Sequence, residues 1–146
     1  MREKLIVSAC LMGRPTRYDG RAVEYPAVQA LLEKFEIIEV CPEVMGGLET
    51  PRPPSERRGA GVFMKTGREV SCEFLRGAER VYELCVANGV KRVLLKERSP
   101  SCGSGEIYDG SFSGVLTKGD GITAEYLKGK GILVFGESQI DELLEK

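Results

Sequence analysis

Three of the five cysteines follow strand-like runs. Leu5-Ile6-Val7-Ser8-Ala9 leads into Cys10, and Phe35-Glu36-Ile37-Ile38-Glu39-Val40 leads into Cys41. Lys91-Arg92-Val93-Leu94-Leu95 reaches Cys102 after one short loop. A thiol with an ordinary pKa of about 8.5 is mostly protonated at neutral pH, and only the thiolate is a good ligand or nucleophile. Three converging thiols are kept deprotonated most readily by a metal. Three soft ligands leave one position open on a tetrahedral zinc, or one iron free on a cubane cluster, as a catalytic centre requires. The alternative is three unrelated core thiols, because cysteine is often buried as a small hydrophobe. No C-x-x-C pair supplies a local metal signature.

Histidine is absent. This excludes a Ser-His-Asp triad, a Cys-His pair and imidazole metal ligands. Acid–base chemistry then falls to carboxylates, Lys, Tyr, Cys or water. At 146 residues, 42% hydrophobic and 29% charged, the chain has the composition of a globular protein. A chain of this length buries roughly 70% of its unfolded surface, enough for one core. We expect a single domain over residues 1–146. The net charge of -1 gives no field toward nucleic acid or anionic membrane, so no folded nucleic acid is expected as partner. No long apolar segment or cleavage pattern is visible, so a reducing cytoplasm is the expected compartment and no membrane association is expected. There, cysteines point to metal or catalysis more than to disulfides.

The elements that must position the thiols follow from periodicity. Strands are expected over 4–9, 36–40, 91–95 and 132–135. Helices are expected over 25–34, 72–88, 121–130 and 137–145, with Ser71 as an N-cap and Asn88-Gly89 as a stop. A hairpin is expected from 62–65 and 68–70 around Thr66-Gly67, and a small strand or hairpin near 112–117. The stretches 41–61 and 98–118 read as long Gly- and Pro- or Ser-rich connections, which are usually functional when they stay ordered. Strands alternating with helices predict an α/β fold, a mainly parallel β-sheet flanked by helices on both faces. Ligands bind such sheets at the carboxyl ends of the strands, where Cys10, Cys41 and Cys102 would lie.

The blocks around the cysteines are specific in wording and order. They are Ser8-Ala9-Cys10-Leu11-Met12-Gly13, Arg17-Tyr18-Asp19-Gly20, Cys41-Pro42-Glu43-Val44-Met45-Gly46-Gly47-Leu48, Thr50-Pro51-Arg52-Pro53-Pro54, Lys96-Glu97-Arg98-Ser99-Pro100-Ser101-Cys102-Gly103 and Phe112-Ser113-Gly114. Over nearly the whole chain they resemble the thiouracil desulfidases, a bacterial and archaeal family long known only as a domain of unknown function. The resemblance implies a single Rossmann-like α/β domain and a 4Fe–4S cluster with three cysteine ligands, matching Cys10, Cys41 and Cys102, and one open iron. Many relatives carry a further cysteine where this chain has Thr16.

The activity implied is removal of sulfur from a thiolated pyrimidine such as 2-thiouracil, giving the oxo-base and sulfide by non-redox hydrolysis. The open iron would bind the thiocarbonyl sulfur, leaving its carbon open to water. A carboxylate beside the cluster would activate that water, and Glu43 fits best. Ser99 and Ser101 flank the third ligand as candidates for hydrogen bonding to substrate or intermediate; turn formation around Pro100 is their alternative use. Arg17, Tyr18, Asp19 and Arg52 are weaker candidates for substrate binding. Cys72 reads as non-functional, and Cys85 as packing. A free base, a nucleoside and a nucleotide all suit the site as small-molecule partners, and oligomeric state is not readable. The competing functions are a zinc- or cluster-binding sensor module and a thiol-redox protein.

Overall fold

A computed structural model describes residues 2–16, 18–20 and 25–145. In chain order the elements are β1 (Glu3–Ser8), a 3-10 turn (Ala9–Met12), a second 3-10 turn (Pro26–Ala30) running into α1 (Leu31–Lys34), and β2 (Phe35–Val40). Then come the one-turn α2 (Pro42–Met45), β3 (Ser55–Arg58), β4 (Gly61–Met64), α3 (Ser71–Asn88) and β5 (Arg92–Leu95). Last are β6 (Glu106–Tyr108), β7 (Leu116–Lys118), α4 (Ile122–Gly129), β8 (Leu133–Gly136) and a 3-10 turn (Glu137–Gln139) before α5 (Ile140–Leu144).

β2, β1, β5 and β8 form a sheet in that order, with every pairing parallel. Alternation along the strands divides the core into two layers. Ile6, Val93 and Leu95 pack with Val81 and Cys85 of α3 and Ala124 and Leu127 of α4. Leu5, Val7 and Leu94 pack with Val28 and Leu31 on one side and Ile140 and Leu143 of α5. The sheet is therefore covered on both faces, as parallel sheets require. The chain moves outward from β1 to β2, then returns past β1 to β5 and out to β8. The reversal puts a topological switch point between β1 and β5, where Rossmann-like sheets open a crevice.

Several local expectations change. The helix over 25–34 is a 3-10 turn with one α-turn after it, and Pro26 sits in its first turn. The connection over 41–61 contains α2 and β3. The hairpin begins earlier than its turn signal suggested: β3 pairs with β4 across Gly59-Ala60, and residues 68–70 contribute only a bridge from Glu69 to Phe63. Ser71 does not cap α3. Its hydroxyl accepts from the Val62 N–H at 2.9 Å and donates to Glu69, so it ties the helix to β4. The second hairpin is β6–β7, with 109–115 as its loop. Gly89, at φ 66°, does end α3.

One contact matters for the site. A Cβ on Gly77 of α3 would overlap the Pro42 carbonyl oxygen, and one on Gly46 would overlap the Glu73 carbonyl oxygen. Arg76 and Arg80 of α3 donate to the carbonyls of Gly46 and Met45, satisfying the end of α2. Backbone against backbone, with no side chain between, fixes α2 on α3.

Candidate active site

Each site cysteine follows a strand, and each sits in a turn of different construction. Cys10 lies in the 3-10 turn after β1, which ends where Gly13 takes φ 84° and donates to the Cys10 carbonyl at 3.3 Å. Cys41 precedes α2, with Pro42 in the first turn of the helix, where a missing N–H costs little. Before Cys102, the Ser99 hydroxyl accepts from the N–H groups of Ser101 (3.1 Å) and Cys102 (3.0 Å). Gly103 closes that turn by donating to the Ser99 carbonyl at 2.9 Å; a Cβ there would lie 2.7 Å from the same oxygen. All three cysteines line one cavity of about 520 Å³ at the switch point, within the size range of small-molecule sites.

The Cys102 thiol is nearly buried, at 5% exposure. Burial is the main cause raising its pKa; the Ser8 hydroxyl, donating at 3.5 Å, opposes this, and the charges of Cys10, Cys41 and Glu43 raise it further. Ser8 is itself fixed, because its oxygen accepts the Lys96 N–H at 2.9 Å. Acidic groups thus crowd together at low dielectric, and a thiolate there needs a cation beside it. The Cys41 thiol donates to the Thr16 carbonyl at 3.8 Å. The Thr16 hydroxyl is the one buried side-chain oxygen or nitrogen without a partner among the described residues.

Glu43 stands on α2, mostly buried, and accepts from Arg52 Nε at 2.9 Å. Burial raises its pKa, and the Arg52 charge and hydrogen bond act against the rise. Arg52 is spent on the protein itself. Its Nη1 donates to the Glu49 carbonyl (3.0 Å) and Thr50 hydroxyl (2.9 Å), and its Nη2 to the Thr16 carbonyl (3.1 Å). It orients the carboxylate and fastens the Thr16 segment.

A family model described as 2-thiouracil desulfurase matches residues 5–139. The chain belongs to that family. A solved structure described as the 4Fe–4S-dependent thiouracil desulfidase TudS (DUF523Vcz) is 50% identical, covers 98% of this chain and 96% of its own, and superposes with a TM-score of 0.92. The uncharacterized protein YbbK of Bacillus subtilis (strain 168) is 35% identical over 150 residues, 96% of this chain and 99% of its own. The expected α/β sheet with helices on both faces is thus the fold of a solved desulfidase.

The structure of this 2-thiouracil desulfurase family member sorts the candidate residues. Cys10, Cys41, Cys102, Glu43, Ser99, Tyr18 and Arg52 border the cavity. Ser101 is not among its lining residues: it is buried, and its hydroxyl pairs with the Thr123 hydroxyl of α4 at 2.8 Å. Asp19 is not among them either, and Arg17 lies outside the described residues. Cys85 is in the core and Cys72 is exposed. Ser8, Thr16, Glu56, Lys96, Arg98, Tyr108 and Phe112 also border the cavity, and sequence reasoning assigned them no role. Ser8 had a signal, a hydroxyl closing an otherwise apolar strand. Phe112 had only its place in the Phe112-Ser113-Gly114 block, and Glu56 had none, because distant hairpins bring the two together.

The donor set suits a cluster. Among the described residues, no three Cys, Asp or Glu side chains are close enough to share one metal ion. A cubane spreads its cysteines over separate irons and needs a wider triangle than a single ion does. Three thiols around one cavity, a hydroxyl on Cys102 and the unspent hydroxyl of Thr16, whose carbonyl accepts from Cys41, are what thiolate sulfurs bound to irons would use.

Proposed function

We propose that this protein is a 4Fe–4S-dependent desulfidase that hydrolyses the carbon–sulfur bond of a thiolated pyrimidine such as 2-thiouracil. The observation that carries this reading is the meeting, in one cavity, of three strand-end thiols and a buried carboxylate with its own arginine. Cys10, Cys41 and Cys102 hold the cluster, which when bound supplies a thiophilic iron for the substrate sulfur. Glu43 accepts the proton of a water that attacks the carbon; the oxygen stays on the ring and the sulfur departs as sulfide, with no change of oxidation state. Burial makes Glu43 a stronger base than a surface carboxylate, and Arg52 holds it in one orientation. Ser99 sets the turn that presents Cys102, and Ser8 donates to the Cys102 sulfur.

A cavity of about 520 Å³ suits a base carrying a sugar or a sugar phosphate as well as a free base. No described helix is long and apolar enough to cross a membrane. A reducing cytoplasm suits a chain with five cysteines and an iron site open to oxidants.

Anaerobic reconstitution followed by iron, sulfide and visible-absorption measurements tests the first half of the reading. Sulfide release from 2-thiouracil tests the second. Stoichiometric zinc in a colourless protein would overturn the cluster. A loaded protein inert toward every thiolated base would make this a cluster-binding module instead. Glu43→Gln is expected to keep its iron and lose about 10²- to 10⁴-fold in kcat.

A further inference from the structure

Among the described residues, only Arg98 (φ 67°) and Phe112 (φ 56°) combine a side chain with a positive φ, and both line the cavity. Bulky residues rarely adopt this conformation. It persists where neighbours over-determine it, often at ligand clamps. Phe112 is over-determined. Glu56 Oε1 on β3 accepts from the N–H groups of Gly110 (2.9 Å) and Phe112 (3.1 Å). Arg58 on the same strand donates from Nε to the Gly110 carbonyl at 2.7 Å. Its guanidinium lies over the Phe112 ring, 5.9 Å from the centroid, and over the Phe63 ring at 5.7 Å. Gly110 takes φ 95°, and a Cβ there would meet Arg58 Cγ at 2.5 Å, so only glycine lets the loop lie this close to β3. The far side of the loop is closed by Asp109, whose N–H donates to the Val115 carbonyl and whose carboxylate accepts from the Ser111 N–H, both at 2.9 Å.

This machinery does not serve the core, since Phe112 is a member of none of the three buried apolar clusters. It holds one aromatic ring at the edge of the cavity, with Tyr108 also on the wall. A thiolated pyrimidine whose sulfur faces the cysteines still presents a flat π-surface that needs a partner. Stacking suits that need, because every base has a π-face.

We propose that Phe112 is the stacking surface for the substrate's ring and that Glu56 is its positioning residue. The proposal rests on the thiolated-pyrimidine reading above. It makes Phe112 a determinant of ring affinity and not of the chemistry at the carbon–sulfur bond. Arg58 and Glu56 then act through Phe112, by holding it where a relaxed loop would not.

The test uses the cluster-loaded enzyme with 2-thiouracil as substrate and uracil as competing product. Phe112→Leu is expected to raise KM and the uracil inhibition constant together, by about tenfold, the loss typical of one base–aromatic stack. Its kcat should stay within about twofold, the signature of lost uniform binding. Phe112→Tyr should restore both constants. Phe112→Gly separates stacking from architecture: glycine adopts this φ freely, so its urea midpoint should be no lower than wild type while KM rises as in Phe112→Leu. Glu56→Ala should raise KM by less, and its effect should vanish in the Phe112→Leu background. An active wild type with Phe112→Leu unchanged in KM and uracil inhibition overturns the proposal alone. A wild type that binds neither pyrimidine overturns the substrate reading, and the proposal with it.

Discussion

The cysteine side and the aromatic side of the cavity are built by different means. The thiols stand at the ends of β1, β2 and β5, whose positions are set by a sheet packed on both faces. The aromatic side comes from two small hairpins, β3–β4 and β6–β7, held to each other by Glu56 and Arg58 reaching the 109–115 loop. One side inherits rigidity from buried apolar surface, roughly 1.5–3 kcal/mol for each large side chain. The other relies on a few hydrogen bonds, each worth about 1 kcal/mol net. On the reading proposed above, chemistry that needs fixed atoms sits on the first and recognition, which tolerates adjustment, on the second.

The largest expected effect strikes the cysteine side directly. Cys102→Ser should abolish bound iron and turnover, while Cys72→Ser and Cys85→Ala keep both, as read by iron analysis and sulfide release. Iron lost in either control would mean that the sheet ends are not the whole ligand set. Gly77→Ala attacks the same side from a distance. In a free helix interior, alanine would gain about 1 kcal/mol over glycine. Here its Cβ drives into Pro42, so we expect a net loss of about 1–3 kcal/mol in the unfolding free energy measured with urea and reduced iron occupancy, because α2 carries Glu43 and follows Cys41.

Thr16→Val is a finer probe. It removes a buried hydroxyl that has no partner, so the metal-free protein should gain about 1 kcal/mol in urea unfolding. If the hydroxyl serves a cluster-bound sulfur, the loaded protein should not share that gain. The smallest effect lies far from the cavity. Arg92 holds the Glu3 carboxyl below the usual range. With the folded pKa lower than the unfolded one, the stabilisation is full above the ordinary carboxylate value and is lost as pH falls through the folded value. The pair is partly solvated, so its worth is about 0.5 kcal/mol or less. Arg92→Gln should flatten that part of the acid titration and leave turnover unchanged.

Legibility in the sequence follows the same division. The sheet and its covering helices were readable because Leu5, Ile6 and Val7, or Phe74, Ala78, Val81 and Cys85, carry periodic signals within a few residues. The thiols were readable because each follows such a run. α2 was missed, since four residues with a proline and two following glycines have too little period to register. The Thr66-Gly67 turn drew attention from the true β3–β4 pairing, because turn residues are local and strand partners are not. Ser99 and Ser101 flank the same proline, Pro100, in sequence. Only packing against α4 separates the one that meets Thr123 from the one that borders the cavity.

The placement of Cys10, Cys41 and Cys102 has a consequence for how this molecule matures. The three thiols come from the first tenth, the first third and the last third of the chain, and they become neighbours only after β5 has taken its place beside β1. A chain in which β5 has not yet docked therefore has no complete three-thiol site to fill. With the proposed ligand set, a bound cluster would be a crosslink that ties distant stretches of chain and closes long loops. Loading should then raise the cooperativity and the midpoint of unfolding for the whole sheet, so that loss of the inorganic part would be felt first as fragility and only then as inactivity.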